Sequence, residues 1–268
     1  MTDTLTIAVL QSQSSPGDTN ASLQKLSDAA ANAAKQQVQL LITPETFLSG
    51  YNLSVEANRA AAHTATGKLT QSISALCQQH NMAIAYGFVE QDDDTYYNTV
   101  QIIDKTGTVQ QRYRKSHLWG AMDNHLFTAG DAILPPVTID GWRVATLICY
   151  DVEFPENART HALAGAELII VPTALAGEWH TVADKVVPVR AYENQLFVAY
   201  ANYCGDEYDC HYAGKSCICG PDAEDLARAQ TQPSLLVATL DKKAIRNIRQ
   251  QIPYHQDRLT KHYQSITA

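Results

Sequence analysis

No apolar run in this chain approaches the roughly 18 residues that a membrane-spanning helix needs, so no such helix is expected. Basic residues are in deficit: 20 Lys and Arg against 28 Asp and Glu leave a net charge of −8. Neutralising phosphates requires the opposite balance, which sets nucleic acid aside as a partner. Six cysteines in 268 residues are too sparse for a disulfide scaffold. A Gly-rich phosphate loop, a Gly/Ser/Pro linker and an internal repeat are all missing. The amino terminus, MTDTLTIAVLQSQ, carries no basic region ahead of its apolar run, so no secretory signal is expected. Free thiols in a reducing cytoplasm follow from that expectation.

What is present is a 45% hydrophobic, 18% charged chain, enough to bury a sizeable core. Uniform composition from end to end predicts one domain over residues 1–268. Short apolar runs alternate with amphipathic stretches. Residues 5–10 and 38–43 read as buried strands, 20–33 and 67–80 as helices. A meander of strands at 83–89, 97–103 and 108–113 follows, with a hairpin tip around Asp92 to Asp94. Residues 114–136 show no period. Strands at 142–149, 168–171, 196–201, 216–219 and 235–240 alternate with helices at 156–164, 180–194 and 242–251. Continuous apolar strands between helices predict an α/β fold whose sheets are covered on both faces. The last dozen residues, with Tyr254 and Arg258 just ahead of or within them, and Tyr263, read as an arm that docks on the rest.

Ligands of open α/β sheets gather beyond the carboxyl ends of strands. Three reactive side chains fall at such ends: Glu45, Lys115 and Cys149. They would converge if those strands were neighbours. Each also has a plain alternative: a solvated loop acid, a member of the basic run RYRKSH, and an inert buried thiol. Yet Cys149 is followed by the polar turn YDVEFPE, which can present a thiol and aim backbone N–H groups at an oxyanion. Glu45 lies among Phe47, Leu48 and Tyr51, a setting that raises a carboxyl pKa toward base strength.

The segments PETFLSGY (44–51), YRKSHLWG (113–120) and LICYDVEFPE (147–156) resemble, in order and separation, the three signature regions of the nitrilase superfamily of carbon–nitrogen hydrolases. AVLQ near the amino terminus, VPTALAGE (171–178) and the stretch around 190–205 extend the resemblance over nearly the whole chain. The resemblance implies a four-layer α-β-β-α sandwich, a homodimer or higher homo-oligomer, and a catalytic set carried over onto Glu45, Lys115 and Cys149. In that reading Cys149 is the nucleophile and Glu45 its base. Lys115 and the backbone N–H of Tyr150 hold the oxyanion. No metal or organic cofactor is required.

In the amidase branch a second Glu usually lies four residues before a Phe in the segment leading to FTAG; here that position is Asp123. It is either an accessory acid with shortened reach or a loop acid facing solvent. Tyr51, Trp119, Tyr150, Ala174 and Trp179 are candidate pocket walls, and aromatic walls favour a small neutral amide over a charged one. The text CYDVEFPE followed by VPTALAG is most similar to the compact aliphatic and stereoselective amidases. The expected activity is hydrolysis of small carboxylic amides. A nitrilase or N-carbamoyl amine hydrolase with the same three residues, an acyltransferase and a non-catalytic partner protein remain as alternatives. The cysteines 204, 210, 217 and 219 are spaced C-x5-C-x6-C-x-C, without the C-x2-C pairs of structural zinc, so no metal is expected there.

Overall fold

The computed structural model describes residues 3–263. In chain order the strands are β1 (Thr4–Gln11), β2 (Leu40–Ile42), β3 (Ala83–Asp92), β4 (Thr95–Ile103), β5 (Val109–Arg114), β6 (Val137–Ile139) and β7 (Trp142–Thr146). They continue as β8 (Leu168–Pro172), β9 (Phe197–Ala201), β10 (Cys204–Glu207), β11 (Cys210–Ala213), β12 (Cys217–Cys219), β13 (Asp225–Arg228) and β14 (Ser234–Asp241). The helices are α1 (Thr19–Ala34), α2 (Val55–Ala60), α3 (Lys68–His80), α4 (Gly120–Leu126), α5 (Pro155–Leu163), α6 (Val187–Asn194), α7 (Lys242–Gln251) and α8 (Tyr254–Asp257).

Two six-stranded sheets, ordered β14-β1-β2-β3-β4-β5 and β13-β12-β9-β8-β7-β6, carry the architecture. Each has a parallel centre, β1-β2-β3 in one and β7-β8-β9 in the other, flanked by antiparallel strands. Alternation along each central strand sends successive side chains to opposite faces. Thus Ile7, Val9, Leu40 and Ile42 meet Val144, Leu168, Ile170 and Phe197 between the sheets. Ala8, Leu41 and Ile84 instead pack under Leu26, Ala30 and Ile73 of α1 and α3. Ala145, Ile169 and Val198 pack under Ala158, Ala162 and Ala191 of α5 and α6. Three apolar layers between four structural ones make the expected α-β-β-α sandwich.

Several expected elements differ in detail. The strand at 142–149 stops at Thr146, because the Asp151 carboxylate takes the Ile148 N–H at 3.0 Å and turns the chain into a 3-10 turn over Cys149–Glu153. The helix at 180–194 begins as a π turn, Val182–Val186, and becomes α-helical only at Val187. Pro188 stands directly after that π turn, in the first turn of the α-helical part. The aperiodic 114–136 stretch holds α4, and the hairpin β10-β11 was not foreseen. The arm docks: the Tyr254 ring packs edge-on 6.0 Å from Tyr192 of α6, and Gln195 Nε2 donates to the Ile252 carbonyl. Residues 264–268 of that arm lie outside the described residues. Among the described residues no helix is long and apolar enough to cross a membrane.

Candidate active site

Glu45 leaves β2 through Pro44 and enters a tight loop in which Thr46 has φ of 45°. That loop lies directly on β3, where Thr43 N–H donates to Ala85 and the Leu48 N–H to Gly87. Gly87 makes the contact possible, since a Cβ there would stand 2.4 Å from Thr46 N and 2.7 Å from the Pro44 carbonyl. The Glu45 side chain is wholly buried. Its Oε1 accepts from Asn98 Nδ2 of β4 at 2.6 Å and from Lys115 Nζ at 2.8 Å. Its Oε2 has no hydrogen-bond partner among the described residues, which leaves one oxygen to receive a proton. Burial raises the Glu45 pKa; the positive charge of Lys115 opposes the rise and the negative charge of Asp123 reinforces it.

Lys115 follows β5 directly, tied by its N–H to the Asn98 carbonyl. Its ammonium, buried, is held between Glu45 and Asp123 Oδ2, the latter at 2.6 Å. Burial alone would lower its pKa, but the two carboxylates outweigh that and hold it well above its ordinary value. Asp123 is buried, not solvent-facing. It sits in the first turn of α4, where it also accepts the Trp119 N–H at 3.0 Å and the Tyr51 hydroxyl at 2.7 Å. The solvent-facing reading of Asp123 is therefore overturned.

Cys149 opens the 3-10 turn in the left-handed region, φ 46°, a strained setting for a residue with a Cβ. Asp151 pins the turn: it accepts from the Tyr113 hydroxyl at 2.8 Å and from the His117 N–H at 2.9 Å, besides Ile148. The leading N–H groups of such a turn lack partners within it, and that of Tyr150 is one of them. Burial, then the charge of Glu45, push the Cys149 thiol far up. Lys115, the Thr173 hydroxyl and the Ala174 N–H oppose the rise without cancelling it. The resting group is therefore a thiol that needs a base.

The three side chains do not converge through neighbouring strands. β2 and β5 are separated by β3 and β4, and β7 belongs to the other sheet. They meet because corresponding ends of the two sheets face each other. Over them lies a cavity of about 780 Å³, with Cys149 in its wall. Tyr51, Trp119, Tyr150, Ala174 and Trp179 all line it, and the rings of Trp119 and Trp179 meet edge-on at 6.5 Å. Asn52, Met122, Glu153 and Glu178, not expected from the sequence, line it too, as do the hairpin residues Asp209 to His211. Asn98, Asp151 and Thr173 were also missed; each acts through a contact distant in sequence.

Within the cysteine cluster, Cys217, Cys219 and Asp225 come close enough to share a cation, which the spacing argument did not foresee. The two sulfurs are 3.6 Å apart. Arg228, however, already holds both Asp225 oxygens, at 2.5 and 2.9 Å. The basic run resolves similarly: Arg112 and Arg114 pair with Glu90.

A family model for carbon-nitrogen hydrolases matches residues 6–250. The chain is 43% identical to the hydrolase in the pqqF 5' region of Pseudomonas protegens, covering 98% of this chain and 92% of that one. It is 32% identical to an (R)-stereoselective amidase of a Pseudomonas species, with 94% and 90% covered. Among solved structures, an amidase from a Nesterenkonia species superposes with a TM-score of 0.84 at 32% identity, covering 97% of this chain and 95% of that one. A glutamate-to-glutamine mutant of the Nesterenkonia enzyme, at 31% identity, TM-score 0.84 and 97% and 96% coverage, shows the acetamide moiety of fluoroacetamide added covalently at the active-site cysteine.

Proposed function

The chain belongs to the carbon–nitrogen hydrolase family, and we propose that its single domain, residues 1–268, hydrolyses small carboxylic amides to the acid and ammonia through a thioester on Cys149. One observation carries this reading: Lys115 is bonded at once to Glu45 and Asp123, and Cys149 lies within the field of that array in the wall of a cavity.

In the proposed sequence Glu45 takes the thiol proton as the Cys149 sulfur attacks the amide carbon. Charge moves onto the amide oxygen, where Lys115 Nζ and the Tyr150 N–H receive it. Glu45 returns its proton to the nitrogen as the carbon–nitrogen bond breaks, and ammonia leaves. A water molecule then gives a proton to Glu45 and attacks the thioester. The acid departs and the sulfur recovers its proton. Asp123 serves as a positioning residue, holding Lys115 from the side away from Glu45. A homodimer or higher homo-oligomer and a cytoplasmic location belong to the same reading. Leu163 of α5 and Val189 of α6, each about half exposed on adjacent helices, support the first of these.

Ammonia release from a panel of amides, nitriles and N-carbamoyl amines tests the proposal. Amides should be turned over, Cys149→Ala should abolish release, and Glu45→Gln should lower kcat by about 10² to 10⁴. Release chiefly from nitriles or carbamoyl amines would keep the three residues and overturn the substrate class. Hydroxamate formation with added hydroxylamine reports the thioester and whether acyl transfer is open.

A further inference from the structure

The aromatic walls of the cavity point to an uncharged substrate only while the carboxylates between them go uncounted. Glu153 ends the same 3-10 turn that Cys149 begins, and it lines the cavity half-buried. Among the described residues its carboxylate has no side-chain hydrogen bond. The two cations whose fields reach it are already committed. Arg190 donates to the Val152 carbonyl at 2.9 Å, the Glu153 carbonyl at 2.6 Å and the Glu193 carboxylate at 3.0 Å. Lys115 is held by Glu45 and Asp123. The cavity also carries Glu178 and Asp209, and among the described residues no lysine or arginine lines it. Its one basic ring, His211, lies 2.5 Å from Asp206.

A half-buried carboxylate without a cation of its own, set beside the proposed nucleophile, has an unmet need that the substrate can fill. We propose that Glu153 is a specificity-determining residue, and that the preferred substrates are amides whose acyl chain carries a protonated amine, the ammonium docking on Glu153. The proposal rests on the amidase reading above and deepens it. Trp119, Trp179 and Tyr150 are compatible with this ligand, because aromatic faces attract cations. Glu178 and Asp209 favour its approach through their field. An amide carrying a carboxylate meets the same three charges as repulsion.

The test compares ω-amino amides of three to six carbons with alkanamides in which a methyl group replaces the ammonium. At one chain length at least, kcat/KM should favour the amino amide by about tenfold, the ratio expected of one charge-assisted contact. Glu153→Gln should remove most of that preference. Glu178→Gln, exposed at the mouth and safe for folding, should reduce it by a smaller factor, and raising ionic strength should reduce it in the unmodified enzyme. No preference at any length overturns the proposal, as does a preference that Glu153→Gln and salt leave intact or an equal loss on both series. Ammonia release from neither series would instead overturn the amidase reading itself.

Discussion

Asp123 is one methylene shorter than the glutamate usual in the amidases it resembles, yet it reaches Lys115 at 2.6 Å. The shortfall is met by the backbone: α4 places Asp123 in a first turn, where the same oxygen accepts the Trp119 N–H. Asp123 is fully buried, and its partners Lys115 and Tyr51 are buried with it. Asp123→Glu should therefore lose activity, because the added methylene must displace either Lys115 or Tyr51. A fall of about tenfold in kcat/KM is expected, and a gain would mean that the shorter acid is a defect. Glu45, Lys115 and Cys149 were legible in the sequence because each sits in a short motif of its own. Asn98, 53 positions from Glu45, and Asp151, 34 positions from His117, were not. Their roles exist only once the strands have paired.

At the scale of the element, the site depends on how closely a loop may approach a strand. Gly87 on β3 lies under the loop of Glu45, and the atoms that a Cβ would meet are backbone, which cannot swing aside. Gly87→Ala should cost about 2 kcal/mol or more of stability and lower kcat further than that loss explains, because Glu45 must lift from Asn98. Urea melts beside steady-state kinetics on the folded fraction check both parts. Long periodic elements such as α1, α3 and β1 were readable in advance. The 7-residue α4 and the β10-β11 hairpin were not, since short elements owe their form to what they pack against. The turn at Cys149 escaped for a related reason: the carboxylate that breaks strand β7 is donated from within the turn itself.

Across the whole molecule, three apolar layers hold the two sheets and their helices, and one of them encloses a titratable group. His161 of α5 is buried, and burial depresses its pKa to about 4. In the unfolded chain a histidine takes its proton near 6.5. Below that pH the unfolded state gains protons that the folded state refuses, so stability is full above about 6.5 and falls as pH drops toward about 4. The contribution lost is about 3 kcal/mol by pH 4. Chemical denaturation of the protein and of His161→Gln at pH 7, 5.5 and 4 should show the gap between them shifting toward the variant by about that amount. A gap independent of pH would place the proton elsewhere. His117 has the opposite sign: the hydrogen bond to Asp151 raises its pKa, so its share is present below about 6.5 and fades as pH climbs through the raised value.

The strongly protonated thiol has a further consequence, for the durability of the enzyme. Oxidants and simple alkylating agents attack thiolates, and the resting Cys149 offers very little of one. Its chemistry is held in reserve until a guest with the right polarity draws the proton off. Iodoacetamide, which has an amide to seat, should then label Cys149 many times faster than iodoethanol, which has none, and dilute hydrogen peroxide should hardly inactivate. Equal labelling rates, read by mass spectrometry of the Cys149 peptide, would mean that the thiol is awake before anything arrives.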